Sequence, residues 1–170
     1  MRFNTVTIVF ASLLMLAACS SKPADNGSAA GSGAAGAGSS TAGTTIAPGS
    51  DRDFIVNVGD RIFFDTDKYN VRADQRAQLQ KQADWLKKYP NVQVTVEGHA
   101  DERGTREYNL ALGARRANAV KEFLVSLGVS TSRLQTVSYG KERPICTESN
   151  EDCWAQNRRG VSTITSGASS

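Results

Sequence analysis

The sequence predicts an α/β chain of the α+β kind: a two-layer sandwich in which a mixed β-sheet carries helices packed on one face, in the order β-α-β-α-β. Three observations predict it. Beyond Asp51 the composition changes from Gly, Ala, Ser and Thr to the apolar and charged mixture of a compact domain. Two stretches then place apolar residues at the 3.6-residue spacing of amphipathic helices, and the runs between them alternate apolar and polar residues with a period of two. Strands separated by helical stretches bury their apolar faces when the helices lie across the sheet.

The elements follow in order. Residues 54–64 are rich in β-formers and read as the first strand. Residues 73–88 carry Leu79, Ala83 and Leu86 on one helical face, and Pro90 stops the helix. Val92, Val94 and Val96 alternate with Gln93, Thr95 and Glu97, a strand with one buried face. A second helix over residues 107–127 has Val120, Phe123, Leu124 and Leu127 as its core stripe, with Gly128 placed to end it. Residues 133–139 and 161–165 read as further strands, with a short helical turn over 152–157 between them.

The N-terminus has a different character. Arg2, the apolar run over residues 6–16 and Leu16-Ala17-Ala18-Cys19 form a secretory signal peptide over residues 1–18. The run falls short of the roughly 20 residues that a bilayer span needs. Leu16-Ala17-Ala18-Cys19 resembles the bacterial lipobox, which implies acylation of Cys19 as the first residue of the mature chain; cleavage near Ala18 with an incidental cysteine is the alternative. The same resemblance implies three acyl chains and, with Ser20 rather than Asp after the cysteine, passage to the outer membrane. Residues 19–50 then form a lipidated Cys and a flexible tether, because small polar residues cannot bury a core. A chain of 31 residues from Ser20 to Ser50 spans roughly 30 Å on average and roughly 100 Å when stretched. The folded domain is expected over residues 51–170.

Charge excludes some functions. Twenty Lys and Arg against seventeen Asp and Glu, a formal net charge of +3, are interleaved as on a solvated surface, with no basic cluster for nucleic acid. His99 is the single histidine and lacks a second His or a free Cys at ligand spacing, which removes zinc and Cys-His chemistry. The run from Asp65 imitates a calcium loop but carries Asn70 at the turn position and Arg76 at the twelfth, so it fails as one. No catalytic residues, metal or cofactor are expected.

Polar residues concentrate where the Val92 strand ends, in Glu97-Gly98-His99-Ala100-Asp101-Glu102-Arg103-Gly104-Thr105. In the helix that follows, Asn109, Leu112, Gly113 and Arg116 share one face that runs on into Val120. An arginine on that face is partly buried and must find an anion, from an internal carboxylate or a ligand. The segments EGHADERGT, EYN, ALG, RRANAV, SYGKERP and NRR, in this order and spacing, resemble the OmpA-like domain family in its lipid-anchored, wall-binding branch, over about residues 55–161. The resemblance implies an OmpA-like sandwich and noncovalent binding of the meso-diaminopimelate stem peptide of peptidoglycan. Diaminopimelate ends in an ammonium and a carboxylate on one carbon, so its reader needs an anion and a cation a few ångströms apart, and Arg offers a bidentate fork. The resemblance gives the ammonium to Asp101 and the carboxylate to Arg116, with Arg103, Thr105, Asn109 and Leu112 lining the groove and Asp65 and Asp67 contributed by the loop after the first strand. It further implies an outer-membrane protein on the periplasmic face, in the Tol-Pal system, with TolB as partner and roles in envelope integrity and outer-membrane constriction during cell division.

Alternatives stand beside these expectations. Asp101 and Arg116 also fit a structural ion pair, and Arg158 fits a scaffold as well as a ligand contact. Cys146 and Cys153 are expected to pair in an oxidising periplasm, although the family pattern lacks the pair. Residues 160–170 are more polar than the family's closing strand. A murein-acting enzyme is the rival from another class, but paired carboxylates, a Cys-His set and zinc ligands are all missing. Other envelope anchors that share the domain carry a membrane helix or barrel, for which the sequence gives no sign.

Overall fold

The computed structural model describes residues 45–169; the signal segment, Cys19 and the tether up to residue 44 lie outside the described residues. Four strands form one mixed sheet: β1 (Arg61–Phe63), β2 (Gln93–His99), β3 (Leu134–Gly140) and β4 (Arg159–Ser166). The helices are α1 (Asp51–Asp53), continued by a π-helical turn over Phe54–Val58, then α2 (Arg76–Lys88), α3 (Arg106–Ser126) and α4 (Glu151–Asn157). The strand order is β1-β4-β2-β3, with β2 and β3 parallel and the other two pairs antiparallel. The α/β sandwich with a mixed sheet is therefore as expected.

Its core lies between the sheet and the two long helices. Leu79, Ala83 and Leu86 of α2 and Val120 and Leu124 of α3 are buried against Val94 and Val96 of β2, Leu134 of β3 and Ile62 of β1. Phe123 and Leu127 are only partly buried at the edge of this cluster. The helix α3 comes closest to the sheet where Gly98 of β2 faces Gly113: a Cβ on Gly98 would collide with the Gly113 carbonyl, and one on Gly113 with the Ser138 hydroxyl. Two missing side chains thus let a helix backbone rest on a strand backbone.

Two details differ from the expected elements. Only Arg61–Phe63 of the stretch 54–64 pairs in the sheet, and the residues before it are helical. Ser50 caps that turn by accepting from Asp53 N at 3.1 Å, and the Asp53 carboxylate accepts from Gly49 N, Asn57 Nδ2 and Trp85 Nε1 at 2.8–2.9 Å. Phe54, fully buried, packs at a tilt against Trp85 with ring centroids 4.9 Å apart. Capping and docking override the β preference of Ile55 and Val56, whose side chains face solvent. The folded unit also begins earlier than residue 51, since Gly49 packs on Tyr89 and Ser50 bridges Ser169.

The polar C-terminal stretch forms the expected last strand, extended to Arg159–Ser166, as β4 in the interior of the sheet. Its polar side chains are accommodated individually. Gly160 leaves room for Val120 and Phe64, and buried Ser162 donates to Gln82 Oε1 at 2.9 Å. Between β3 and β4, Cys146 and Cys153 are joined in a disulfide with their Cα atoms 5.0 Å apart.

At the end of β2 the His99 ring is 1% exposed. Its Nε2 lies 3.3 Å from Glu97 Oε2, its Nδ1 has no partner, and the ring lies against Tyr139. Burial first, then the charges of Arg159 and Arg143, push its pKa down to about 4. Protonation therefore favours the unfolded chain, where the value is ordinary. Stability should be full above about pH 6.5 and fall by about 3 kcal/mol as pH drops to 4, and urea unfolding of His99→Gln should lose most of that slope. Separately, Gly98→Ala should cost about 3 kcal/mol of stability by forcing α3 off the sheet, read as a lower urea midpoint.

Candidate ligand-binding site

Three segments converge where β2 ends: the β1–α2 loop, the β2–α3 loop and the first turns of α3. They enclose an open cleft of about 300 Å³, placed where α/β sheets commonly bind ligands, beyond the carboxyl ends of strands. Of the expected residues, Asp67, Asp101, Arg103, Asn109 and Leu112 line it, together with Thr66, Gly104 and Tyr108. Asp65, Thr105 and Arg116 do not line it: the first two are exposed beside it and Arg116 is buried.

Asp101 is the buried anion of the site, 7% exposed. Arg103 grips it through its backbone N–H at 3.1 Å and through the guanidinium, with Nη2 to Oδ2 at 2.7 Å. Arg158 approaches the same oxygen at 3.4 Å. Burial alone would raise the Asp101 carboxyl, but the Arg103 donors and charge, helped by Arg158, hold it below the usual carboxylate range. It is thus ionised at neutral pH and fixed in direction.

The β2–α3 loop is positioned by short local bonds. Thr105 caps α3 by accepting from Tyr108 N at 3.2 Å, so its hydroxyl serves the helix rather than the cleft. Asn109 Nδ2 donates to Arg103 O at 2.7 Å, and Lys141 Nζ donates to Glu102 O and Gly104 O at 3.0 and 2.6 Å. Across the cleft, Asp67 is held at φ 56°, a left-handed conformation uncommon outside glycine. Its carboxylate accepts from the Tyr108 hydroxyl, and that contact raises the phenol above its usual range. Tyr108 was readable only as part of the EYN segment. It sits beside the Asn109 stripe, and nothing in the helical spacing turns it toward Asp67.

Arg116 departs from expectation. It is fully buried, yet its partners are carbonyls: Nε donates to Lys68 O at 2.8 Å, Nη1 to His99 O at 2.7 Å and Nη2 to Asp65 O at 3.1 Å. The structural ion pair with Asp101 does not form, because Arg103 and Arg158 occupy that carboxylate. Burial, with a smaller part from Arg158, lowers the Arg116 pKa to about 10, while Asp101 and Asp67 work against the shift; it stays charged at neutral pH. The Asp65 carboxylate points away to Arg72 at 3.1 Å, and only its carbonyl serves the site. Arg158 takes the scaffold role, bonding Phe64 O at 3.1 Å and Glu151 at 2.6 Å while 5% exposed. Among the described residues no cluster of His, Cys, Asp or Glu could hold a metal, and no helix is long and apolar enough to cross a membrane.

Comparison with known proteins places the sequence and the fold. Residues 63–158 match the OmpA family. The peptidoglycan-associated lipoprotein of Rhizobium meliloti (strain 1021) is 56% identical over 167 residues, 98% of this chain and 90% of that one. The protein of the same name from Legionella pneumophila is 40% identical over 162 residues, 92% of each chain. Among solved structures, the peptidoglycan-associated lipoprotein from Burkholderia pseudomallei superposes with a TM-score of 0.64 at 39% identity, covering 68% of this chain and all of that one. The C-terminal domain of Helicobacter pylori MotB, at 24% identity and a TM-score of 0.59, covers 63% of this chain and 84% of that domain and shares the fold. A family match over more than half the sequence and near full-length relatives well above 30% identity lead to one conclusion: the chain belongs to the OmpA family, among its peptidoglycan-associated lipoproteins.

Proposed function

We propose that this chain is a noncatalytic anchor that binds peptidoglycan through the meso-diaminopimelate of its stem peptide. In this reading it is held to the periplasmic face of the outer membrane by lipid on Cys19 and works in the Tol-Pal system with TolB, in envelope integrity and in outer-membrane constriction at division. The observation that carries the reading is the ionised, buried Asp101 on the cleft wall with Arg103 beside it and Arg116 beneath, opposite charges set for a zwitterionic amino-acid head.

Asp101, with Asp67 across the cleft, takes the ammonium. The carboxylate is drawn to Arg116 and replaces a carbonyl of the 65–68 loop as acceptor, exchanging a neutral partner for a charged one. Arg103 and Asn109 border the head and Leu112 packs on its carbon chain. Hydrogen bonds to charged groups contribute roughly 1.5–3 kcal/mol each, before ordering costs. Affinity per site is therefore modest. A membrane tether and a repeating ligand raise the effective concentration enough to compensate.

Titration of the full-length protein in detergent with a meso-diaminopimelate stem peptide should show saturable binding, and the lysine analogue, which lacks the carboxylate, should bind at least about tenfold more weakly. Asp101→Ala or Arg116→Ala should cost about 2–5 kcal/mol of binding. Equal binding of both peptides, or unaltered binding by the two variants with circular dichroism unchanged, refutes the site.

A further inference from the structure

The helix α4 lies outside the cleft but is built to act on it. Its start is capped by Asn150, whose side chain accepts from Cys153 N at 3.0 Å, and Cys153 is tied to Cys146 by the disulfide. Its end is fixed by Asn157, which accepts from Ile145 N at 2.9 Å and donates to Cys146 O at 2.6 Å. Both ends of a seven-residue helix are thereby fastened to the strand of chain that precedes it. Such a helix is too short to hold its shape alone.

From this bracket Trp154 reaches the β2–α3 loop. Its indole Nε1 donates to Glu102 Oε1 at 2.9 Å. The face of its ring lies against the Arg103 guanidinium, 4.1 Å from the centroid. A guanidinium so placed has one set of donors on a carboxylate and one π face on an aromatic ring, an arrangement that leaves few alternative rotamers. Arg103 is otherwise a partly exposed side chain with only a weak second contact, to the Thr66 hydroxyl at 3.4 Å.

We propose that Trp154 is a positioning residue for ligand binding: stacked on Arg103 and braced by the disulfide-fastened α4, it keeps Arg103 on Asp101 and so keeps the Asp101 carboxylate aimed into the cleft. The inference rests on the reading of the cleft as the stem-peptide site. Trp154 does not line the cleft and acts only through Arg103.

The test compares wild type, Trp154→Ala, Trp154→Phe and each substitution in an Arg103→Ala background, using the full-length protein in detergent and the meso-diaminopimelate stem peptide. A cation–π contact of ordinary strength corresponds to a roughly two- to fivefold weaker affinity for Trp154→Ala. Trp154→Phe, which restores the ring face but not the Glu102 bond, should bind within about twofold of wild type, and in the Arg103→Ala background Trp154→Ala should have no further effect. A ligand-free readout accompanies these: the Arg103 Nε–H resonance should be ring-current shifted and slow to exchange in wild type and Trp154→Phe, and neither in Trp154→Ala. Wild-type affinity in Trp154→Ala, failure of Phe to rescue, or an equal loss with and without Arg103 overturns the proposal. Should wild type not bind the peptide at all, the reading of the cleft falls, and the Arg103 resonance alone decides whether Trp154 positions it.

Discussion

The buried guanidinium of Arg116 is the constraint on which the cleft depends. It stands on α3 yet spends its donors on the carbonyls of Asp65 and Lys68 in the β1–α2 loop and of His99, the last residue of β2. A loop is normally the part of a domain with the fewest fixed contacts. Here three backbone oxygens, two from the β1–α2 loop and one from the strand end, share one rigid, planar partner, and the planarity of the fork sets their separation. A lysine in its place could satisfy these acceptors only by a single point of charge with freely rotating donors. Burying the charge is costly, and the lowered Arg116 pKa records that cost.

Much of the fold was legible in the sequence, and the reasons are local. The Val92, Val94 and Val96 alternation, the Leu79-Ala83-Leu86 face and the Val120-Leu124 stripe state which side of each element is buried, and the structure buries those sides. The 54–64 stretch was misread because its β-branched residues speak for a strand, whereas the turn they adopt is decided by Asp53 and by Trp85, thirty-two residues away. Side-chain bonding over such a distance leaves no periodic trace. The polar strand β4 is a related case. Its place in the middle of the sheet follows from Gly160 and from a single hydroxyl pairing with Gln82, neither visible as hydrophobicity.

The site shows the same division. The grouping of Asn109, Leu112, Gly113 and Arg116 on one face followed from helical spacing, and the concentration of charge at the end of β2 followed from reading along the chain. What spacing could not supply is which charge meets which. Asp101 and Arg116 looked like partners because both were expected at the same corner, but Arg103, two residues from Asp101, reaches its carboxylate with far less chain to order, and Arg158 arrives from 57 residues further along the chain. Tyr108 was missed because its partner Asp67 is placed by a left-handed backbone turn, a conformation that an aspartate does not announce.

The position of Gly49 and Ser50 has a mechanical consequence. They sit beside Tyr89 and Ser169 at the end of the sheet where β2 begins, whereas the cleft opens where β2 finishes. If the wall is held at Asp101 as proposed, a tug entering at Gly49 is transmitted lengthwise through the strands. The ladder joining β2 to β4 is then loaded in shear, with its hydrogen bonds strained together rather than unzipped in turn, the direction in which a small sheet is hardest to tear apart.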